Sequence, residues 1–414
     1  MNSDYSRRKD CRLCSSNNLI SILKLEPTPP ANAFITKEQK KEKQICFPLE
    51  LFFCKNCFHV QLLDIISPKL LFENYLYVSG TSKVFVKHFE EYAKEILEKY
   101  PLSKNARVMD IGSNDGTLLQ FFKGEKYFVL GIDPAKKISE DTSKKGIETI
   151  TDFFNYELAL KIRKQYGPIS LITANNVFAH IDDLVDFVKG IHHILSKDGI
   201  FVFEVSYLAD VIRNTLFDMT YHEHLSYHSI LPLMTFFTKN DLELIDVIKT
   251  NVHGGSIRCI VQLQGGIHKI RDSVDQIIKE EIEMGLNDLS VFIKFAENIN
   301  LQKSKLLELL KKIKDENKTI AGFGAPAKST TLLYHFNIDP KIIEYIVDDN
   351  KLKQNLFSPG KHIPIVSSNI IYENTPDYLL ILAWNFAESI MKNHQEFKKQ
   401  GGKFIIPLPR LEIK

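Results

Sequence analysis

The densest group of side chains able to do chemistry lies between positions 221 and 228 of the 414-residue chain. It reads Tyr-His-Glu-His-Leu-Ser-Tyr-His, with three histidines, one glutamate and two tyrosines. Histidine exchanges protons near neutral pH, glutamate can orient an imidazole, and tyrosine can donate to an oxyanion. The segment therefore favours general acid–base chemistry. Metal binding is an alternative, although His222 and His224 share a side only on an extended strand; a plain polar loop is another.

A second stretch, Asp-Ile-Gly-Ser-Asn-Asp-Gly at 110–116, has the composition of a ligand-binding turn. The apolar run 106–111 predicts a buried strand, and apolar residues from Leu118 onward predict a helix. Strand, glycine turn and helix open a doubly wound α/β fold, and Gly112 lets a ligand approach the backbone. The pattern lacks G-x-G-x-x-G, so a dinucleotide is not favoured. It resembles the first motif of class I methyltransferases, which implies S-adenosylmethionine binding by Gly112, Asn114 and Asp115.

The strands that follow predict the rest of that ligand site. Strand 128–132 ends at Asp133, which is placed to bind the hydroxyls of a ribose. Asp152 and Phe153 follow a short strand at 148–150 and suit an adenine ring. Strand 169–174 is followed by Asn175 and His180, which should lie at the methyl-donor end of the sheet. Further strands at 200–205, 242–248 and 256–263 would complete a seven-stranded sheet.

Two C-x-x-C pairs precede this domain, and they have the spacing of a metal module. The cysteines are Cys11, Cys14, Cys54 and Cys57. Two such turns can close a tetrahedral four-sulfur zinc site, and with no open coordination position the zinc should be structural. A redox pair or incidental cysteines are the alternatives.

The C-terminal third contains a second strand–turn–helix unit. Residues 267–312 have helical periodicity and should connect the domains. The segment 319–330 then predicts a strand, a glycine turn and a helix, with later strands at 343–347 and 378–383. Gly324, bare backbone amides and Lys328 could cradle a phosphate at the helix N-terminus. Taken alone, this unit could also bind NAD.

A polar loop rich in tyrosine and hydroxyl groups precedes a predicted helix at 83–100. Tyr75, Tyr77 and Ser79 flank one glycine and could bind a polyhydroxy ligand. An equally good interpretation is a surface loop that caps the helix.

Length and composition exclude several functional classes. About 150 residues per domain predicts two or three domains. Apolar content of 44% and charged content of 25% are typical of a globular enzyme. The net charge of +2 is too small to favour binding to nucleic acid or to a membrane surface. No apolar run reaches membrane-spanning length, and residues 1–10 lack a secretory signal. We expect a cytoplasmic enzyme; the oligomeric state is left open.

The combination of motifs resembles the nucleotide-sugar C-methyltransferases over essentially the whole chain. The cysteine pairs, the 112–116 turn, the 221–227 segment and the 322–328 turn carry the resemblance. It implies an α/β fold, with a class I methyltransferase sheet flanked by a small zinc-binding domain and a C-terminal Rossmann-like domain. The implied limits are 1–70, 71–266 and 267–414.

The resemblance also implies a reaction and a role for each residue. S-adenosylmethionine would methylate C3 of a nucleoside-diphosphate 4-keto-6-deoxysugar through an enolate. His224 would be the base, Tyr221 the enolate or proton-relay partner, and Glu223 the orienting acid. His222 and Tyr227 fall in the same motif and would contact the substrate.

The same resemblance implies that Tyr75, Tyr77 and Ser79 close over the sugar. Gly324 and Lys328 would bind its nucleotide or diphosphate. Three alternatives remain at this stage: a sugar O-methyltransferase, a zinc-ribbon nucleic-acid modifier, and an oxidoreductase that uses NAD.

Overall fold

The computed structural model describes residues 4–73, 78–81 and 83–414. Tyr75 and Tyr77 of the predicted sugar loop lie outside the described residues, whereas Ser79 of the same loop is described. Among the helices of the described ranges, none combines the length and apolar character needed to cross a bilayer.

The first part of the chain is built from short antiparallel strands. Its elements are β1 Tyr5–Arg7, β2 Leu19–Thr28, β3 Phe47–Cys54, β4 Val60–Leu62, β5 Asp64–Ile66 and helix α1 Pro68–Phe72. β2, β3 and β4 form one sheet, and a distant strand, Ser226–Tyr227, pairs with the outer edge of β4. The acid–base segment is therefore built into the N-terminal sheet.

The middle part is a mostly parallel sheet with alternating helices. Its strands are β6 Arg107–Ile111, β7 Phe128–Ile132, β8 Thr149–Ile150, β9 Ile169–Asn175, β10 Leu195–Ser206, β11 Ser226–Tyr227, β12 Leu242–Thr250 and β13 Ser256–Leu263. Its helices are α2 Lys83–Lys99, α3 Thr117–Gly124, α4 Lys136–Lys144, α5 Tyr156–Tyr166, α6 Leu184–Ile194, α7 Leu208–Arg213 and α8 Ile230–Lys239.

Seven of these strands form one sheet in the order β12-β13-β10-β9-β6-β7-β8, with β13 antiparallel to both neighbours. The predicted seven-stranded doubly wound sheet is confirmed. Because β6, β7 and β9 are parallel neighbours, their carboxyl ends share one edge. That edge brings Gly112, Asp133 and Asn175 together.

Sequence patterns explain how these elements pack. β6 and β9 lie inside the sheet and are buried along almost their whole length, as expected for strands covered on both faces. Helix α6 buries Leu184, Phe187, Val188 and Ile191, which recur at helical spacing, and its N-cap Asp183 accepts the backbone N–H of residue 186. The buried stripe fixes the helix against the sheet.

The last part begins with two helices and ends in a smaller sheet. The helices are α9 Asp272–Met284, α10 Leu289–Asp315, α11 Ala327–His335, α12 Ile370–Glu373, α13 Ala387–Asn393 and α14 Gln395–Lys399. The strands are β14 Ile320–Phe323, β15 Ile346–Val347, β16 Ile365–Val366, β17 Tyr378–Ile381, β18 Lys403–Ile406 and β19 Glu412–Ile413. The sheet order is β16-β15-β14-β17-β18-β19. The predicted connecting helices and Rossmann-like unit are confirmed, although β15 and β17 are shorter than predicted.

Short 3-10 helices link several elements: Glu38–Lys41, Ser79–Thr81, Phe178–His180, Phe217–Met219, Val252–Gly254 and Trp384–Phe386. Phe178–His180 and Phe217–Met219 matter most here, because both border the site.

Candidate active site

A cavity of about 690 Å³ lies at the carboxyl edge of the seven-stranded sheet. All three parts of the chain line it. Asn32 comes from the N-terminal part, Gly112 and His224 from the middle, and Lys328 and Asn385 from the C-terminal part. The fold therefore brings together residues that are far apart in the sequence.

The glycine turn forms one wall of this cavity. Gly112 has φ +70°, and a Cβ there would collide with Val177, so only glycine fits. The N–H of Asn114 donates to Asp133 Oδ2 and that of Ala135 to Oδ1, both at 2.9 Å. Gly112, Asn114 and Asp133 all line the cavity, and burial raises the pKa of Asp133.

Asp115 has a different place from its neighbours in the turn. Its carboxylate accepts the N–H of Gly80 at 3.0 Å and the hydroxyl of Thr117 at 2.6 Å, and it is not among the cavity-lining residues. Ser79 does line the cavity, and its N–H donates to Asn114 Oδ1 at 2.9 Å. Asn114 and Asp115 thus hold the 79–80 segment against the turn, and cofactor contact by Asp115 stays a prediction.

The predicted adenine and methyl-donor residues line the same cavity. Asp152 and Phe153 lie side by side, and the N–H of Phe153 donates to Asp152 Oδ1 at 2.8 Å. Asn175 has both amide atoms buried and makes no hydrogen bond with them within the described ranges. A buried amide without a partner on a cavity wall fits a polar ligand. The site therefore fits S-adenosylmethionine, which has polar groups that could bond to this amide.

His180 and His224 stack in the cavity wall, with ring centroids 5.2 Å apart, and His180 also stacks on Phe72. Burial and the neighbouring imidazole hold the pKa of His180 well below its usual value. His180 is therefore a neutral ring packed against the candidate base.

The hydrogen bonds of His224 fix its tautomer. Nδ1 lies 2.9 Å from the carbonyl oxygen of Met219, which can only accept, so Nδ1 carries the proton. Nε2 is then unprotonated and accepts the Tyr221 hydroxyl at 2.8 Å. Burial lowers the pKa of His224 to about 4, although the bond to Met219 opposes the shift. His224 is thus a neutral imidazole whose unprotonated Nε2 accepts the Tyr221 hydroxyl, and both residues line the cavity.

Three other residues of the segment have hydrogen-bond partners outside the His224–Tyr221 pair. The Glu223 carboxylate accepts the side-chain amide of Asn32 at 2.7 Å, so the acceptor that orients His224 is the Met219 carbonyl rather than the predicted glutamate. His222 donates through Nε2 to the carbonyl of Pro48 at 3.0 Å. The Tyr227 hydroxyl donates to the same Met219 oxygen at 3.4 Å. None of the three is among the cavity-lining residues.

The turn that carries Met219 is clamped by the C-terminal part. The indole of Trp384 donates to Asp218 Oδ2 at 2.6 Å, and the hydroxyl of Thr331 donates to the carbonyl of Thr220 at 2.6 Å. Phe217 stacks on Phe336 at 4.7 Å. No sequence motif predicts these contacts.

The predicted phosphate cradle differs from expectation. Gly324 has φ +85°, but its N–H donates to the carbonyl of Val347, and the N–H of Ala325 donates to Asp348. These amides are therefore not bare. Lys328 does reach the cavity, where its ammonium bonds Asn385 Oδ1 at 2.6 Å and lies 3.4 Å from the Trp384 ring centroid. Burial lowers the pKa of Lys328, and Asp218 opposes the shift.

Sequence reasoning missed three groups in this cavity. Asp110 lies at the end of β6 and accepts the Thr173 hydroxyl at 2.6 Å; burial raises its pKa to about 7, and Asp133 adds to the shift. Asn32 and Lys353 come from segments without a strand–turn pattern. The acid that ends β6 was a usable signal for Asp110, whereas the other two had none.

The four predicted cysteine ligands do come together. Their sulfur atoms all lie within 4.8 Å of one another, with Cys11–Cys57 at 3.5 Å and Cys14–Cys54 at 3.6 Å. Ligands about 2.3 Å from a tetrahedral zinc would be about 3.8 Å apart. Each C-x-x-C pair forms the same kind of turn. The N–H of Ser15 donates to the carbonyl of Cys11, and the N–H of Phe58 donates to the carbonyl of Cys54, both at 2.8 Å. The cluster fits a closed, structural zinc site.

Comparisons with known proteins match three successive segments of the chain. Three family models match: "Putative zinc binding domain" over residues 11–72, "Methyltransferase domain" over 85–247 and "C-methyltransferase C-terminal domain" over 251–409. The C-methyltransferase NovU of Streptomyces niveus is 32% identical over 404 residues, which cover 98% of this chain and 96% of the relative.

Solved structures resemble the chain more distantly. A S-adenosylmethionine-dependent methyltransferase from Clostridium acetobutylicum aligns with a TM-score of 0.36 and 14% identity, over 44% of this chain and 92% of that one. Magnesium protoporphyrin IX methyltransferase from Synechocystis aligns with a TM-score of 0.33 and 11% identity, over 44% and 79%. The assignment therefore depends on the family models and the full-length relative. On that basis the chain belongs to the family of S-adenosylmethionine-dependent C-methyltransferases that carry an N-terminal zinc-binding domain.

Proposed function

We propose that this enzyme methylates C3 of a nucleoside-diphosphate 4-keto-6-deoxysugar through an enolate. The observation that carries the proposal is the pairing of His224 Nε2 with the Tyr221 hydroxyl, in the cavity that the glycine turn also lines. A neutral imidazole with a free lone pair is a base, and an adjacent hydroxyl can donate to an oxyanion or relay a proton.

The chemistry requires such a pair. A hydrogen beside a ketone is too weakly acidic for water to remove at neutral pH, so the enzyme must supply a base and stabilise the enolate oxygen. His224 Nε2 takes the proton, directly or through Tyr221, while the electron pair of the C–H bond shifts onto the ketone oxygen. The carbonyl of Met219 stabilises the imidazolium that forms, because it already accepts from Nδ1. When bound, S-adenosylmethionine would supply an electrophilic methyl group on a sulfonium sulfur, and its S–CH3 electron pair would leave with the neutral thioether as C3 accepts the methyl group.

The donor would occupy the edge formed by β6, β7 and β9. Gly112 and Asn114 would let it approach the backbone, and Asp133 would bind its ribose. Asp152 and Phe153 would contact the adenine, and Asn175 and His180 would border the reacting methyl group. The cavity-lining positions of these residues support this arrangement.

The sugar nucleotide would lie between the donor and the C-terminal part. Ser79 and Tyr221 would contact the sugar, and Lys328 its diphosphate. His222 bonds the carbonyl of Pro48, and Tyr227 bonds the carbonyl of Met219. These bonds favour supporting roles for both residues in place of the direct substrate contacts that the resemblance implied.

The test is solvent exchange. The enzyme is incubated in deuterated buffer with 4-keto-6-deoxyhexoses linked to thymidine, guanosine or cytidine diphosphate, with and without S-adenosylmethionine, and the sugar is analysed by mass spectrometry. We expect deuterium at C3 without the donor and a gain of one methyl group with it. Methyl transfer to a hydroxyl without exchange at C3 would contradict the proposal and favour O-methylation.

A further inference from the structure

The charges along the cavity are separated by the part of the chain that supplies them. Six lining carboxylates all come from the middle part: Asp110, Asp133, Asp152, Asp182, Asp183 and Asp186. The lining lysines are Lys69 from α1, and Lys328 and Lys353 from the C-terminal part. A sulfonium donor suits the acidic side, and an anionic ligand suits the side with two C-terminal ammonium groups.

Lys353 and Lys328 flank the same turn. The Lys353 ammonium donates to the carbonyl of Ala325 at 2.8 Å, and Lys328 follows that turn at the start of α11. The Lys328 ammonium donates to Asn385 Oδ1. Both hydrogen bonds use neutral oxygen acceptors, and each ammonium has three N–H donors, so donors remain for a ligand on both sides of the turn. Carboxylates already act on both groups, since Asp348 and Glu223 oppose the fall in the pKa of Lys353, and Asp218 opposes that of Lys328.

The turn itself is poorly equipped to hold an anion. Its Gly324 and Ala325 amides are already bonded, the latter to the Asp348 carboxylate, and Pro326 has no N–H. Recognition of an anion here must therefore depend on side chains. A diphosphate, with two adjacent charged groups, matches two ammonium groups that flank one turn.

We infer that Lys353 is a substrate-binding residue that acts with Lys328, and that the two ammonium groups together bind the diphosphate of the sugar nucleotide. The inference rests on the proposed function, since it assigns one end of the same substrate. Burial lowers the pKa of both lysines, and an anion bound beside them would act in the opposite direction by favouring the charged form.

The test uses inorganic pyrophosphate, which contains the diphosphate without sugar or base. Its affinity is measured by calorimetry for the wild-type enzyme and for Lys353→Met and Lys328→Met. Lys351→Met is the matched control, because Lys351 is an exposed lysine two residues from Lys353. We expect pyrophosphate affinity to fall about tenfold or more in both test variants. It should stay at the wild-type value in the control, and S-adenosylmethionine affinity should be unchanged in all three.

A second substitution separates ligand binding from support of the turn. Lys353→Gln can still donate to the carbonyl of Ala325 but has no charge. If Lys353 only holds the turn, this variant will bind pyrophosphate as the wild type does, and the inference is overturned. Failure of the wild-type enzyme to bind pyrophosphate overturns it as well. Lysine-dependent pyrophosphate binding without C3 exchange would instead refute the proposed reaction and leave the anion site standing.

Discussion

The fall of the reaction rate at acid pH gives the sharpest test of the assignment of His224 as the base. An exposed histidine has a pKa near 6.5, whereas burial lowers that of His224 to about 4. At pH 5 the neutral fraction would be about 90% for the buried ring but only about 3% for an exposed one. We therefore expect kcat/KM for C3 exchange to be nearly independent of pH from about 7 down to about 5 and to fall towards pH 4, since kcat/KM reports groups of the free enzyme.

The measurement is the initial rate of deuterium entry at C3, without methyl donor and at low substrate concentration. The fold must be followed in parallel, because the same burial makes the protein sensitive to acid. A histidine whose pKa is lower in the folded state binds fewer protons there, so stability is full above the unfolded pKa and is lost as pH falls towards the folded one. For His224 the loss at pH 5 would be about 2 kcal/mol. Burial also lowers the pKa of His228, to about 3, which adds to the effect.

Rates are therefore taken only where the near-ultraviolet circular dichroism equals that at pH 7. Within that range, a midpoint near pH 6.5 would refute the reasoning. It would mean that His224 is solvated in the working enzyme or that another group controls the rate, of which Asp110, whose pKa burial raises to about 7, is the first candidate.

Three further outcomes are expected. His224→Ala should lower the C3 exchange rate about 100- to 10,000-fold and leave S-adenosylmethionine affinity unchanged by calorimetry; equal loss of both would reject the base assignment. Cys54→Ser should release zinc, measured by elemental analysis, and expose the N-terminal part to limited proteolysis, because the site contributes folding energy; a folded, zinc-free variant would reject a structural site. Burial lowers the pKa of Lys328, so the ammonium should lose its proton, and substrate affinity should weaken, at a lower pH than if this lysine were exposed. Lys328→Arg should remove that loss of affinity, since arginine stays charged; an unchanged loss would assign it to another group.

Local sequence patterns were sufficient for most of the architecture. The strands at 128–132 and 256–263 have the predicted bounds. The first is a short apolar run, and the second is a mostly apolar run that also contains Ser256, Arg258 and Gln262. The four cysteines were also predictable, since each pair forms its own tight turn. Elements that depend on neighbours were less well predicted: β15 covers two residues where five were expected.

The candidate site was only partly predictable, because its hydrogen bonds join distant segments. The motif identified His224 and Tyr221 but suggested Glu223 as the orienting group. In the structure a backbone carbonyl, that of Met219, has that place, and a carbonyl leaves no trace in the residue types. Lys353 was missed for a related reason, since an isolated lysine in a turn resembles any exposed lysine until the fold brings it to a cavity.

The C-terminal part has a consequence for the base as well as for the substrate. Asp218, which is completely buried, accepts the indole N–H of Trp384, and the next residue, Met219, presents the carbonyl that orients His224. The carbonyl of Met219 shares its rigid peptide unit with the N–H of Thr220, which donates to the carbonyl of Phe217 in the same turn, so a shift of this turn would also move the Met219 carbonyl. In the proposed reaction, proton removal would therefore depend on how the C-terminal part packs against the turn that carries Met219. A C-terminal domain that only collected the nucleotide would have no need of this contact, so we regard it as part of the catalytic framework.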